Sequence, residues 1–376
     1  YQALINSPEL RFVISNTTEA GIRYDKDDVM CDKPVTFPGK VTNLLWKRYN
    51  HFNGAADKGL VFICCELIEN NATTLNEYVV RHAGEANLPA EFIEWVDNAN
   101  IFVDTLVDRI VPGFPRDTID EVKAELGYDD NVVDKGELYH LWAIGGKGYD
   151  IVAREFPLDK AGLHVLFMPS IKAFRDKKVR ILNGSHTGMV PVALQLGCET
   201  VMDAFNNKEV NRFINTMVER EVLPMIDEDQ DELRTFADGI LERFYNPYIK
   251  HYLKSIALNS LSKWEARNFP TVKDMWVKEG KLADFELFSF AALMSLYGPG
   301  SGFTPEDNEE HIATINSLWN ETDFAKTVTD IVASGIFVEN FDAIVPGFSA
   351  RVAEHLAAIR SEGMNKALAN FLDRHK

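Results

Sequence analysis

The chain has 376 residues, 46% of them hydrophobic and 26% charged, with a formal net charge of −18. That length and balance suit a globular protein with two cores, and the acidic surface argues against nucleic acid as a partner. No apolar run approaches the roughly 20 residues that cross a bilayer, and no secretory signal opens the sequence, so a cytoplasmic protein is expected. The four cysteines form no C-x-x-C pair and the nine histidines no zinc-type pattern. Free thiols and no metal site follow.

Apolar runs at 11–15, 60–64, 139–144 and 163–168 alternate with helical patterns at 40–49, 72–83 and 89–98. This alternation predicts a mainly parallel sheet covered by helices, a partial Rossmann-type doubly wound domain over residues 1–170. Residues 171–376 read as helix after helix: 209–225, 229–245, 249–263, 282–297, 312–319 and 350–372 carry apolar residues at helical spacing. Thr304-Pro305-Glu306-Asp307 is predicted to start one of them, with Thr304 as N-cap. The expected fold class is therefore α/β plus all-α, with a helical substrate domain after the sheet and a cleft between the two.

The stretch Lys178-Val-Arg-Ile-Leu-Asn183-Gly-Ser-His186 places an amine, a carboxamide and an imidazole at i, i+5 and i+8. On a regular helix Asn183 lies about 140° and His186 about 80° from Lys178, so the three line one wall. A carbonyl being reduced needs an acid for its oxygen and a donor to hold the developing charge. The same residues also read as a solvated charge run followed by an Asn-Gly-Ser turn or glycosylation acceptor.

This Lys, Asn and His spacing resembles the signature of the mannitol dehydrogenase family of long-chain polyol dehydrogenases. Thr18-Glu19-Ala20-Gly21, Val107-Asp108-Arg109-Ile110 and Arg243-Phe244-Tyr245-Asn246-Pro247 resemble its T-E-x-G, V-D-R-I and R-F-x-N-P blocks, in family order. The resemblance implies metal-independent hydride transfer between a nicotinamide cofactor, NAD with NADP not excluded, and a C–OH/C=O centre. It implies Lys178 as general acid and base, Asn183 as donor to the reacting oxygen, and His186 as holder of a neighbouring hydroxyl. Thr18, Glu19 and Asp108 fall to the nicotinamide half of the cofactor site.

Residues 15–22, 51–55, 65–68, 246–251 and 255–259 resemble the branch that acts on keto-uronates, which implies reduction of tagaturonate to altronate. An acid sugar needs cations in an acidic chain, and Lys250, His251, Lys263 and Arg267 are the expected substrate-binding series. These four also read as a solvated basic helix face. Leu67 stands where polyol-acting members carry Asn, which leaves Asn71 as the second expected oxyanion donor. Fructuronate/mannonate or mannitol/fructose oxidoreduction stays open, as does a non-catalytic ligand-binding protein. The family's G-x-G strand–loop–helix is not found ahead of the first apolar run, so a Rossmann-type domain without that amino-terminal part is expected. The resemblance also implies a monomer or homodimer.

Overall fold

The computed structural model describes residues 1–376 other than 19, 20, 32, 112 and 249. The chain divides into two compact units, Tyr1–Arg175 and Asp176–Lys376, where the sequence suggests a boundary at 170/171.

In the first unit β1 (Phe12–Ser15), β2 (Val61–Cys64), β3 (Ile101–Asp108), β4 (Leu141–Gly145) and β5 (Val165–Met168) form one sheet in the order β1-β2-β3-β4-β5. Side chains alternate across β2: Leu60, Phe62 and Cys64 pack beneath helices Phe37–His51, Asn71–Glu85 and Ala90–Ala99, whereas Val61 and Ile63 face Val103, Ile144 and Val152. Burial on both faces explains why β2 reads as an unbroken apolar run.

The sheet is mainly parallel, as expected, and two details add to that reading. The sheet is mixed, because β4 runs antiparallel to β3 while the other pairings are parallel. A parallel crossover needs an intervening helix packed on the sheet. Helix Ile119–Leu126, in the β3–β4 link, buries no residue. The strand β3 itself escapes the apolar-run pattern because Asp104 interrupts it. The Asp104 carboxylate accepts from Thr73 N and Oγ1 at 2.9 and 2.7 Å, tying β3 to the start of helix Asn71–Glu85.

The second unit is helical. Helix Gly184–Gln195 is buried from Gly184 to Ala193, and helix Asp284–Tyr297 is buried from Phe285 onward. Helices apolar on all sides occupy the middle of a bundle. The run 350–372 is two helices, Phe348–Glu362 and Met364–Arg374, split at Gly363 with φ +80°. Thr304 does not start a helix. Asp307 instead accepts from Leu261 N and Tyr297 Oη, and helix Glu309–Leu318 begins beyond it with Asn308 as its cap. The run 249–263 is likewise broken: Leu253–Ile256 and Ser260–Arg267 are helical, and Tyr252 bridges to Thr200. Helices Phe269–Glu279 and Phe324–Ala333 had no counterpart in the apolar spacing. No helix among the described residues is long and apolar enough to cross a membrane.

Candidate active site

Lys178 ends helix Lys172–Lys178 and is followed by a π-helical turn, Val179–Asn183, and then by helix Gly184–Gln195. The turn is closed by the Gly184 N–H donating to Val179 C=O, five residues back. A wider i→i+5 turn rotates less per residue than regular helix. Across Val179–Asn183 the angle between Lys178 and Asn183 is therefore smaller than the roughly 140° of a regular helix. Lys178 is buried, while Asn183 is half-buried and its carboxamide makes no hydrogen bond to another described residue. Gly184 and Gly188 let this segment approach its neighbours: a Cβ on Gly184 would sit 3.4 Å from the Arg267 carbonyl oxygen, and one on Gly188 3.1 Å from Met217 Cε.

His186 lies one turn beyond Asn183 and is buried. Its ring centroid is 4.2 Å from that of Phe244 and 5.1 Å from that of His251. Arg267 reaches the next residue, donating from Nη1 to Thr187 Oγ1 at 3.2 Å. Burial first, and then the positive charges of His251, Arg267, Arg243 and Lys178, hold the His186 imidazole well below its usual range. It is a neutral ring inside a cationic cluster, and its Nε2 is buried without a hydrogen-bond partner among the described residues. Such a nitrogen suits a substrate hydroxyl, and the cluster suits an anion.

The remaining candidates divide. His251 and Arg267 join the cluster. Lys263 turns to its own segment, donating to Ile256 O at 3.0 Å, and Lys250 is exposed in the irregular stretch before Tyr252. The four cations thus do not share one helix face.

In the first unit Thr18 follows β1 and Asp108 ends β3, both at the carboxyl edge of the parallel strands, where open α/β sheets bind ligands. Glu19 lies outside the described residues. Thr18 is exposed with φ +65°, an uncommon backbone for a β-branched residue. Glu66, just past β2, shapes this loop. Its carboxylate accepts from Ser15 Oγ at 3.1 Å, Thr17 N at 3.0 Å and Thr17 Oγ1 at 2.8 Å. Asp108 is buried. The Asn71 carboxamide donates to Glu66 O and Thr105 O and accepts from Thr105 N and Ala72 N, so its protons already serve β2 and β3.

Sequence comparison sharpens the reading. The family model of the mannitol dehydrogenase Rossmann domain matches residues 2–158, and that of the mannitol dehydrogenase C-terminal domain matches residues 170–333. The chain belongs to the mannitol dehydrogenase family. Within it the chain is 43% identical over 374 residues to the altronate oxidoreductase of Bacillus subtilis (strain 168), covering 99% of this chain and 77% of that one. The altronate oxidoreductase of Enterobacter sp. (strain 638) is 42% identical, with 97% and 77% covered. Among solved structures, Pseudomonas fluorescens mannitol 2-dehydrogenase in ternary complex with NAD and D-mannitol superposes with a TM-score of 0.76 at 20% identity, covering 99% of this chain and 77% of that chain. A D-sorbitol dehydrogenase in substrate-free form gives 0.78 at 20% identity, with 97% and 76% covered. The fold is that of mannitol dehydrogenase family members, a Rossmann-type unit followed by a helical one.

Three residues of this family member carry no chemical expectation from spacing alone. Arg243 and Phe244 sit in the R-F-x-N-P block at the end of helix Gln230–Arg243, where the Phe244 ring packs on His186 and the Arg243 charge acts on it. Glu66 adjoins the Leu67 departure and was visible only as part of a run.

Proposed function

We propose that this chain is an NAD(H)-dependent oxidoreductase of CH–OH groups that reduces tagaturonate to altronate reversibly. The observation that carries the proposal is the π turn, which brings a buried amine and an available carboxamide onto one side of a helix beside a cationic cluster. The altronate oxidoreductases at 42–43% identity support the substrate class. The carboxyl-edge loop of Ser15, Thr17 and Thr18, braced by Glu66, together with Asp108, fits a dinucleotide. Thr18, Asp108 and Glu19 would hold the nicotinamide half, and NAD(H), when bound, supplies or accepts the hydride.

The chain's own work is on the oxygen. Lys178 gives a proton to the carbonyl oxygen during reduction and removes it during oxidation, help worth about 10²–10⁴ in rate. The Asn183 amide donates to the same oxygen, and His186, neutral, holds an adjacent hydroxyl through Nε2. His251 and Arg267 take the carboxylate, an interaction that neutral polyols do not offer. Four free cysteines fit a reducing cytoplasm.

The test is consumption of NADH and NADPH with tagaturonate, fructuronate and fructose. Turnover fastest with tagaturonate, and lost in Lys178→Ala that still folds, is expected. Preference for fructuronate or fructose would move the assignment within the family. Bound NADH with no turnover of any of the three would overturn it in favour of a binding protein.

A further inference from the structure

The π turn needs something to hold it, since regular helix is the default for such a sequence. The Asn268 carboxamide donates from one Nδ2 to Gly184 C=O at 3.1 Å and to Glu286 Oε2 at 2.8 Å. Gly184 is the residue whose N–H closes the turn. Asn268 is 0% exposed and Glu286 1% exposed. Glu286 lies in the central helix Asp284–Tyr297, whose first turn is fixed by Glu221, a buried carboxylate accepting from Phe285 N at 2.9 Å and Glu286 N at 3.0 Å. A second tie holds the turn itself: Arg180 Nη1 lies 2.6 Å from Asp274 Oδ2. Burying polar groups of this kind in the middle of a bundle is costly unless each has a task.

We propose that Asn268 and Glu286 are positioning residues for proton transfer, anchoring Gly184 so that the π turn keeps Asn183 and Lys178 on one side of the helix. The inference rests on the reading that Lys178 and Asn183 act on the substrate oxygen. Neither Asn268 nor Glu286 touches substrate. Their removal lets Asn183 drift, and a displacement of about 1 Å at such a group costs on the order of 10²-fold in rate. Burial pushes the Glu286 carboxyl up to about 8, with the Asn268 hydrogen bond and Arg180 pulling the other way. A glutamine there keeps an oxygen that accepts from the Asn268 amide.

The experiment compares Asn268→Ala, Asn268→Leu, Glu286→Leu and Glu286→Gln in the full chain with NADH and tagaturonate, alongside Lys178→Ala. The expected result is a fall in kcat of about 10–10² for the first three, with the NADH dissociation constant unchanged and KM within about threefold. Glu286→Gln should restore kcat to within about threefold of the parent. Equal kcat in a folded Asn268→Ala or Asn268→Leu, with Lys178→Ala inactive, overturns this inference and leaves the function reading standing. Full activity in Lys178→Ala removes the function reading itself. If both Asn268 variants fail to fold, the Glu286 pair decides: Gln and Leu equally active, or equally impaired, overturns the positioning role.

Discussion

Thr17 presents both its backbone N–H and its hydroxyl to a single oxygen of Glu66, at 3.0 and 2.8 Å. A buried carboxylate beyond β2 thereby dictates the course of the loop beyond β1, where Thr18 holds its left-handed backbone. Backbones of this kind persist only when their surroundings over-determine them, and they concentrate at ligand sites. Replacing Glu66 by Ala removes three acceptor contacts at once and frees the loop. The expected outcome is an NADH dissociation constant raised about tenfold or more, read by quenching or enhancement of nicotinamide fluorescence, with the far-UV spectrum of the folded protein retained. An unchanged constant would separate the loop from cofactor binding.

The cationic cluster makes a different prediction, about choice of substrate. His251 faces His186 at 5.1 Å between ring centroids, and Arg267 is held at Thr187. A charge-assisted hydrogen bond to a carboxylate contributes about 1.5–3 kcal/mol, which is roughly 10–150-fold in kcat/KM. Arg267→Met should lose that factor with tagaturonate and far less with fructose, which has no carboxylate. Equal losses on the two substrates would show that Arg267 supports the Thr187 region of the helix rather than reading the acid group.

Much of this was legible in order along the chain, and the exceptions have physical causes. Lys178, Asn183 and His186 stand out because chemistry-bearing residues share one short segment, yet their mutual orientation does not follow from it. Helical periodicity presumes regular turns, and the π turn is supported by Asn268 and Glu286, 84 and 102 residues beyond Gly184 in sequence. Strand β2 announces itself because both faces are buried, whereas β3 is masked by Asp104, whose charge is spent on Thr73. Lys250, His251, Lys263 and Arg267 look like one basic series until Tyr252 pairs with Thr200 and breaks the helix between them. Asn71 has the composition of an oxyanion donor, but its amide joins Glu66 to Thr105.

Stability should depend on pH through two buried histidines. His82 is 0% exposed, and neither of its ring nitrogens has a hydrogen-bond partner among the described residues. Burial lowers its proton affinity below the ordinary 6.5, with Asp28 opposing. His186 is lowered in the same direction. The unfolded chain takes up protons near pH 6.5 that the folded chain refuses, so stability is full above that value and falls as the pH drops below it. Each group contributes a slope of up to about 1.4 kcal/mol per pH unit in that window. Thermal melts between about pH 8 and 5 should show the fall, and His82→Phe should make it shallower. The same variant should melt higher at neutral pH, because an unpaired buried N–H is gone. An identical slope in His82→Phe would assign the dependence elsewhere.

The first unit also depends on one buried cation. Arg48 is 0% exposed, and its guanidinium donates to the carbonyls of Lys58, Leu4, Ile5, Ser7 and Leu10 at 2.7–3.4 Å. Its Cζ also lies 4.8 Å from the Phe52 ring centroid. This one fork joins the segment before β1 to the turn before β2. Lysine cannot replace it, because a point charge with a single nitrogen does not span five acceptors. Arg48→Met preserves volume but strands the carbonyls, each costing about 1–3 kcal/mol if water cannot reach it. The expected loss is on the order of 3 kcal/mol in denaturant unfolding. A single unaltered transition in Arg48→Met would mean that water replaces the guanidinium at these carbonyls.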